Sequence, residues 1–442
     1  MVVPDRTVTR VEWRELFPWL ILFRSFSISA SVTVIAFALL GVVATPIGWL
    51  LSETAFLNDD LRNEDAYFKE FVETSRSPYR GVFDASRREA NYVEIFGAKL
   101  SGARAVYERT VMPFRMIFRG RLGIRKFWYL AMGCIWTIIV WSFSGLCISR
   151  HAMLRYARDE SIPIDETFDF GLSRWPVCLW GFAACIGLAF LLCVPMGMIG
   201  LLMAFDWSAW LGGMLYFIVA LCAIALSMLL FGLMFAWPLM ITSVAAENQN
   251  SLDAVTRTFA YVYQRPLNYA MYGFLSLVFG GFCWLIISQI ASSAISLGFW
   301  GTSWGANVSD VERIDHFIGS RSVILNPAEG AETGDPALAP EQRSAGLSFG
   351  VNLVRFFCGF VSTIAVAFVH GLFWTMASGV YLLMRKDVDE VELDEIYLDE
   401  DSRSYELPPL KSDEHGIPQI QPLDEYERLL KQRDENIDNL GE

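Results

Sequence analysis

The sequence predicts an all-α, polytopic membrane bundle of about six transmembrane helices. Of its 442 residues, 54% are hydrophobic and 19% charged, a balance too apolar for a soluble chain of that length. Six runs reach the roughly 20 apolar residues that a helix needs to cross a hydrocarbon core, where unpaired backbone amides are not tolerated. Charge is also segregated: Arg385 to Glu442 holds 7 basic and 19 acidic residues, so nearly all of the net charge of −13 lies there.

Residues 1–26 read as an amphipathic N-terminal segment whose Trp13, Phe17 and Trp19 suit the headgroup layer. Arg6, Arg10, Arg14 and Arg24 precede the first apolar run, and no small-residue cleavage site follows it, so the N-terminus is expected to stay attached. The first span is residues 27–51. Residues 52–126 form a partly interfacial helical insertion. Leu61, Tyr67, Phe68, Phe71 and Val72 keep helical spacing there, Ser77-Pro78 is a break, and 106–126 mixes apolar residues with Arg115, Arg119, Arg121, Arg125 and Lys126 as a surface helix would.

Residues 127–299 carry spans two to five: Phe127 to Ser149, Trp175 to Phe205, Leu211 to Val244 and Tyr269 to Phe299. Kinks are expected at Pro195 and Pro238, which neighbouring helices can accommodate. Two amphipathic connectors, 150–174 and 245–268, join these spans. Residues 300–346 read as an irregular loop, the sixth span lies within 347–384, and 385–442 is an acidic tail. Its interleaved acids and apolar residues from Asp387 to Asp401 suit a flexible segment that folds onto partners, or a solvated spacer. A short helix is expected over Asp424 to Arg433.

The eight cysteines all fall in apolar segments and read as small buried hydrophobes, with no disulfide framework and no metal site. No cofactor is expected, and a basic nucleic-acid footprint is absent. Orientation follows the basic residues near span ends. Arg150, Arg155, Arg158, Arg174, Arg257, Arg265, Arg385 and Lys386 put the connectors and both termini on the cytoplasmic side. The charges from Arg115 to Lys126 disagree, lying just before span two on the opposite side.

The connectors resemble each other. Ser161, Asp165 and Glu166 lead into the stripe Ile164, Phe168, Leu172, Trp175 and then Pro176; Ser251 and Asp253 lead into Leu252, Val255, Phe259, Val262 and then Arg265-Pro266. A capping serine with acids in the first turn pairs with free amides and the helix dipole. Both helices are expected along the inner membrane face, as interfacial connectors or as a paired binding surface of the kind repeats form in transporters.

Four runs carry a family resemblance: Gly145 to Ala152, Ala157 to Glu160, Trp237 to Met240, and Ala246-Glu247 leading into Ser251 to Pro266. They resemble an uncharacterised family of bacterial multi-pass membrane proteins, over roughly Phe127 to Ala291, with an echo in the tail at Leu407 to Leu410 and Gly416 to Pro418. The resemblance implies a bacterial inner-membrane location and this architecture, and supplies no reaction. Asn248 stands where similar sequences often have Gly, so the turn there is expected to differ.

His370 lies near the middle of the sixth span, with Gln289 and Ser292 of the fifth as candidate companions in an intramembrane polar site. An ionisable group at that depth is a functional hypothesis by default. A neutral His bonded to a neighbouring helix fits the same residues. His151, Arg155 and Arg158 share one helix side, and with Arg257 and Arg265 they are candidate contacts for anionic lipid headgroups; ordinary inside-positive charge fits equally. Tyr405, Leu407, Pro408, Pro409 and Leu410 are the candidate partner-docking part of the tail. No phosphate-binding Gly loop, His-Glu-x-x-His or Ser-His pattern is present. The expectation is a non-enzymatic accessory or scaffold protein. It would organise protein partners through its outer loops and tail, the alternative being a transporter or channel component with a cavity near His370.

Overall fold

A serine starts the first long helix. In the computed structural model, which describes residues 17–58, 61, 66–76, 113, 116, 123–305, 345–393 and 395–397, Ser31 accepts a hydrogen bond from the Val34 amide at 3.4 Å and caps helix α2 (Val32–Phe56). Before it come a 3₁₀ stretch, Pro18–Arg24, and helix α1 (Ser25–Ser29). The first span therefore begins five residues later than the run of apolar residues suggests. Ser29 bonds back to the Ser25 carbonyl at 2.6 Å and meets the Thr375 hydroxyl at 2.7 Å. Those contacts hold α1 as a separate turn.

Helix α3 (Ala66–Ser75) follows, then α4 (Ile124–Ala157), α5 (Ile164–Met203), the short α6 (Ala209–Met214), α7 (Tyr216–Glu247), α8 (Ser251–Gln264), α9 (Pro266–Gly305) and α10 (Ala345–Asp389). All regular structure among the described residues is helical, and six of the helices are long and apolar enough to cross a membrane. This is the architecture of a multi-pass membrane protein. The chain divides into two units, Met1–Ile396 and Tyr397–Glu442, and these helices all belong to the first. Most of the surface helix expected over 106–126, most of the 300–346 loop and the tail beyond Tyr397 lie outside the described residues; Ile124 to Lys126 open α4, and the start of the expected loop, through Gly305, belongs to α9.

Burial sorts the six spans into two tiers. In α4 and α10, 44% of the most apolar window is buried, and in α2 39%; in α7 the share is 6%, and in α5 and α9 17%. The first three make the core, and α7 packs along α5 while its outer surface stays apolar and exposed. In a bilayer that surface meets lipid, which is as apolar as the side chains themselves.

The core is keyed by glycine and tryptophan. Trp49 of α2 lies over Gly133 of α4, and Trp136 of α4 lies over Gly48 of α2; a methyl group added at Gly48 would stand 1.8 Å from the Trp136 ring, and one at Gly133 2.2 Å from Trp49. Each helix thus removes a side chain to seat the other's indole, the close approach that small residues permit in membranes. Trp136 donates its ring N–H to the Ala44 carbonyl at 2.9 Å, so the indole's polar atom is satisfied where water is absent. At the end of the bundle nearest α3, Trp49 continues into a cluster with Phe68, Phe71, Val72, Met116, Tyr129 and Leu130. There the buried Glu53 accepts from Arg76 at 2.6 Å, a hydrogen bond that raises the Arg76 pKa above the ordinary arginine value. The helical insertion after the first span is docked by this cluster.

The two connectors, alike in sequence, fold differently. In the first, α5 starts at Ile164 after Pro163, not at Ser161, and continues unbroken through Pro176 and Pro195 into the span. In the second, α7 ends at Asn248, which takes φ 54°, ψ 35°. Asn is the residue that most readily follows Gly into this left-handed C-terminal position, so the helix closes here on a left-handed cap. Asn250, not Ser251, occupies the cap of α8. Arg265 leaves the helical region at φ −130°, ψ 62°, as a residue before proline is driven to do.

Gly48→Ala is expected to lower stability by about 1–3 kcal/mol through overpacking against Trp136. The readout is the thermal unfolding midpoint of the purified protein in detergent. Gly187→Ala, where nothing lies within 4 Å of the added methyl, is expected to leave the midpoint unchanged.

Candidate functional site

The ends of α4, α7 and α10 meet at one end of the bundle, together with α8 and the start of α9. Helix C-termini leave carbonyls without partners and carry the negative end of the helix dipole. Arginines answer this at two of them. Arg24 donates to the Arg155 carbonyl at 3.2 Å and the Tyr156 carbonyl at 3.5 Å, and pairs with Asp159 at 2.8 Å. Arg150, buried, donates to the Ala245 carbonyl in the last turn of α7 at 3.1 Å and lies over the Phe170 ring at 4.6 Å.

Glu247 is the last residue of α7. A carboxylate there faces the negative end of the dipole, and its side chain is only 13% exposed. Four groups from three segments hold it. Oε1 accepts from the Tyr381 hydroxyl at 2.9 Å and lies 2.9 Å from Nε of Arg385, both on α10. Oε2 accepts from Arg257 of α8 and from Gln249 of the intervening turn. Tyr381 and Arg385, four residues apart, share one face of α10.

The network extends into the stretch where α10 leaves the bundle. Asp389 accepts from Tyr261 and lies 3.9 Å from Arg257. Asp387 accepts from Asn268 at 2.8 Å and Tyr272 at 2.9 Å, both on α9. Arg385 donates to the Glu395 carbonyl. Burial pushes the Tyr261 pKa up, and its bond to the Asp389 carboxylate adds to this. Burial works most strongly against the charge on Arg257, but Glu247 together with Tyr381 and Tyr261 outweighs it, so the guanidinium is held above its ordinary value. Glu247, Asp389, Arg257 and Arg385 form a charge-balanced quartet. Its chemistry is that of a clasp, since every oxygen of Glu247 is engaged by a donor.

The predicted site residues are dispersed. His370 donates its Nδ1–H to the Val366 carbonyl of its own helix at 2.9 Å, and its ring stacks on Trp141 of α4 at 4.8 Å and 16°. Gln289 bonds Ser293 at 3.5 Å, and Ser292 bonds the Ser288 carbonyl at 2.8 Å, both within α9. The residues of α10 that pack on α9 at Cys283 are Phe368, Leu372 and Met376, whereas His370 turns toward α4. His370 thus meets α4, while Gln289 and Ser292 bond within α9.

Of the candidate headgroup contacts, His151 is 2% exposed and meets Ser31 at 3.4 Å, so it faces the core. Arg155 lies 4.0 Å from Asp159, Arg158 and Arg265 are exposed, and Arg257 is bound to Glu247. Tyr405, Leu407, Pro408, Pro409 and Leu410 lie outside the described residues. All described cysteines are free, and Cys193 is exposed on α5 where burial was expected. Among the described residues no group of three or more His, Cys, Asp or Glu is placed to hold a metal ion.

Glu247→Gln is expected to destabilise the protein by about 3–5 kcal/mol, because it leaves the buried Arg385 without its countercharge. Thr256→Ala, at an exposed position on α8, is expected to stay within about 0.5 kcal/mol of the unaltered protein. Chemical unfolding in detergent measures both. No protein-family model, curated protein or solved structure matches this chain.

Proposed function

We propose that this chain is a scaffold or accessory protein of the bacterial cytoplasmic membrane, organising partner proteins through its outer loops and acidic tail. The single observation that carries the reading is the rooting of the tail. Asp387, Asp389 and the Glu395 carbonyl are each bonded to side chains of the bundle or of α10. The acidic segment therefore starts from a fixed point at the membrane edge. Fixing the origin of a segment reduces the entropy lost when that segment docks.

Three features support the assignment. The end of the bundle that carries the root also carries Arg150, Arg155, Arg158, Arg174, Arg257 and Arg265, the charge bias of a cytoplasmic face; both termini then lie in the cytoplasm. The core is filled by interlocked tryptophans, a packing suited to a rigid support. His370, the one residue that would recommend a transport path, is covered by Trp141.

Affinity purification of the intact chain in mild detergent, beside a chain ending at Ile396, tests this reading. The cut belongs after Ile396, because one made before Asp387 would also remove Asp387 and Asp389, the root itself. Specific companions recovered with the intact chain and reduced at least about tenfold with the shortened one are expected, the loss of a docking segment being a loss of most of the binding free energy. Identical companions from both chains would overturn the role of the tail.

A further inference from the structure

The surface that receives the tail root has the chemistry of an anion site. Arg257 and Tyr261 of α8 face Asp389, and Asn268 and Tyr272 of α9 face Asp387. Arg265, exposed, caps α8 directly before α9 begins at Pro266. One guanidinium, two phenols and an amide thus surround two carboxylates that belong to the chain itself, with the guanidinium of Arg265 exposed at the junction.

The height of this junction matters as much as its chemistry. Arg265 immediately precedes the membrane-crossing length Pro266–Ile295, and Asp387 and Asp389 end the length Phe356–Asp389. Both sides of the junction therefore lie at the edge of the hydrocarbon core, where lipid phosphates are. A phosphate diester offers the same kind of acceptor oxygens as a carboxylate and pairs with the same donors. Basic groups at that level attract anionic lipid.

We propose that the junction of α8 and α9 is a binding site for an anionic phospholipid headgroup, occupied in this structure by Asp387 and Asp389, so that anionic lipid and the tail root compete for it. In a neutral bilayer the root stays fastened. In an anionic one the headgroup takes Tyr261, Arg265, Asn268 and Tyr272, Asp387 and Asp389 are expelled, and the first residues of the tail are freed. Glu247 keeps its hold on Arg257 and Arg385 in both states, so the bundle is unaffected. The proposal rests on the scaffold reading for what the freed tail does, and not for whether lipid frees it.

Hydrogen exchange on the full-length protein in nanodiscs tests this, following backbone amides from Arg385 to Tyr397. Discs of phosphatidylcholine alone and discs that also contain phosphatidylglycerol are compared, with glycerol phosphate added to the neutral discs as a third arm. Exchange about tenfold faster in the anionic discs, and unchanged by glycerol phosphate, is expected, since exchange reports local opening. A D387N/D389N double variant is expected to exchange fast in every disc, and Arg265→Ala to remove the response to lipid. Equal exchange in neutral and anionic discs overturns the proposal. So does acceleration by glycerol phosphate as strong as by lipid, which would mark a site for soluble anions. Partner recovery from the intact chain is read separately, so loss of the scaffold reading and loss of the lipid site are distinguishable.

Discussion

The arrangement at the end of this bundle turns on one carboxylate in an unfavourable place. Glu247 closes α7 where the helix dipole is negative, is nearly buried, and is stable only because Arg257 and Arg385 converge on it from α8 and α10. A buried charge with a single removed partner is among the more destabilising arrangements a protein can contain. Its presence therefore dictates where α8 lies and where α10 may end. The cap at Asn248, the turn through Gln249 and the Tyr381 hydroxyl all follow from bringing donors to that one side chain.

The rest of the molecule is held by a different principle. In the membrane, apolar burial does not discriminate a helix from a lipid tail, so specificity comes from close fit and from polar atoms that must find partners. The reciprocal seating of Trp49 and Trp136 on Gly133 and Gly48 supplies the fit for α2 and α4. Trp374 over Gly145 extends it to α10. The helices α5, α7 and α9 need less of it, because much of their surface meets lipid. A rigid core and a charge-locked end are thus complementary: one fixes the helices, the other fixes what leaves them.

Much of this was legible in the residues. Apolar run length gives the six long apolar helices, since hydropathy is what the bilayer reads, but not their ends: α5 starts at Ile164, well before the expected Trp175, and α4 runs on to Ala157 past the expected Ser149. The segment after the first span reads correctly as helical at Phe68, Phe71 and Val72. Pairings across the chain were not legible. Arg257 looks like a headgroup contact on sequence grounds, because nothing within α8 identifies Glu247, ten residues earlier and across a turn, as its counterion. His370 draws attention as an intramembrane ionisable group, yet aromatic stacking with Trp141, more than two hundred residues away in sequence, accounts for its position. Similar connectors also fold differently, because Pro176 is carried inside a continuous helix whereas Pro266 forces a break after Arg265. The visible trace of the clasp was an acid directly at a span end, with a tyrosine and an arginine four residues apart on the last helix.

The central claim, that Glu247 fastens the end of α10 to the bundle, is tested most directly by a double-mutant cycle on Glu247→Ala and Arg385→Ala, with unfolding free energies measured in detergent. The account predicts a coupling of about 1–3 kcal/mol between the two positions. Additive effects, with coupling indistinguishable from zero, would contradict it.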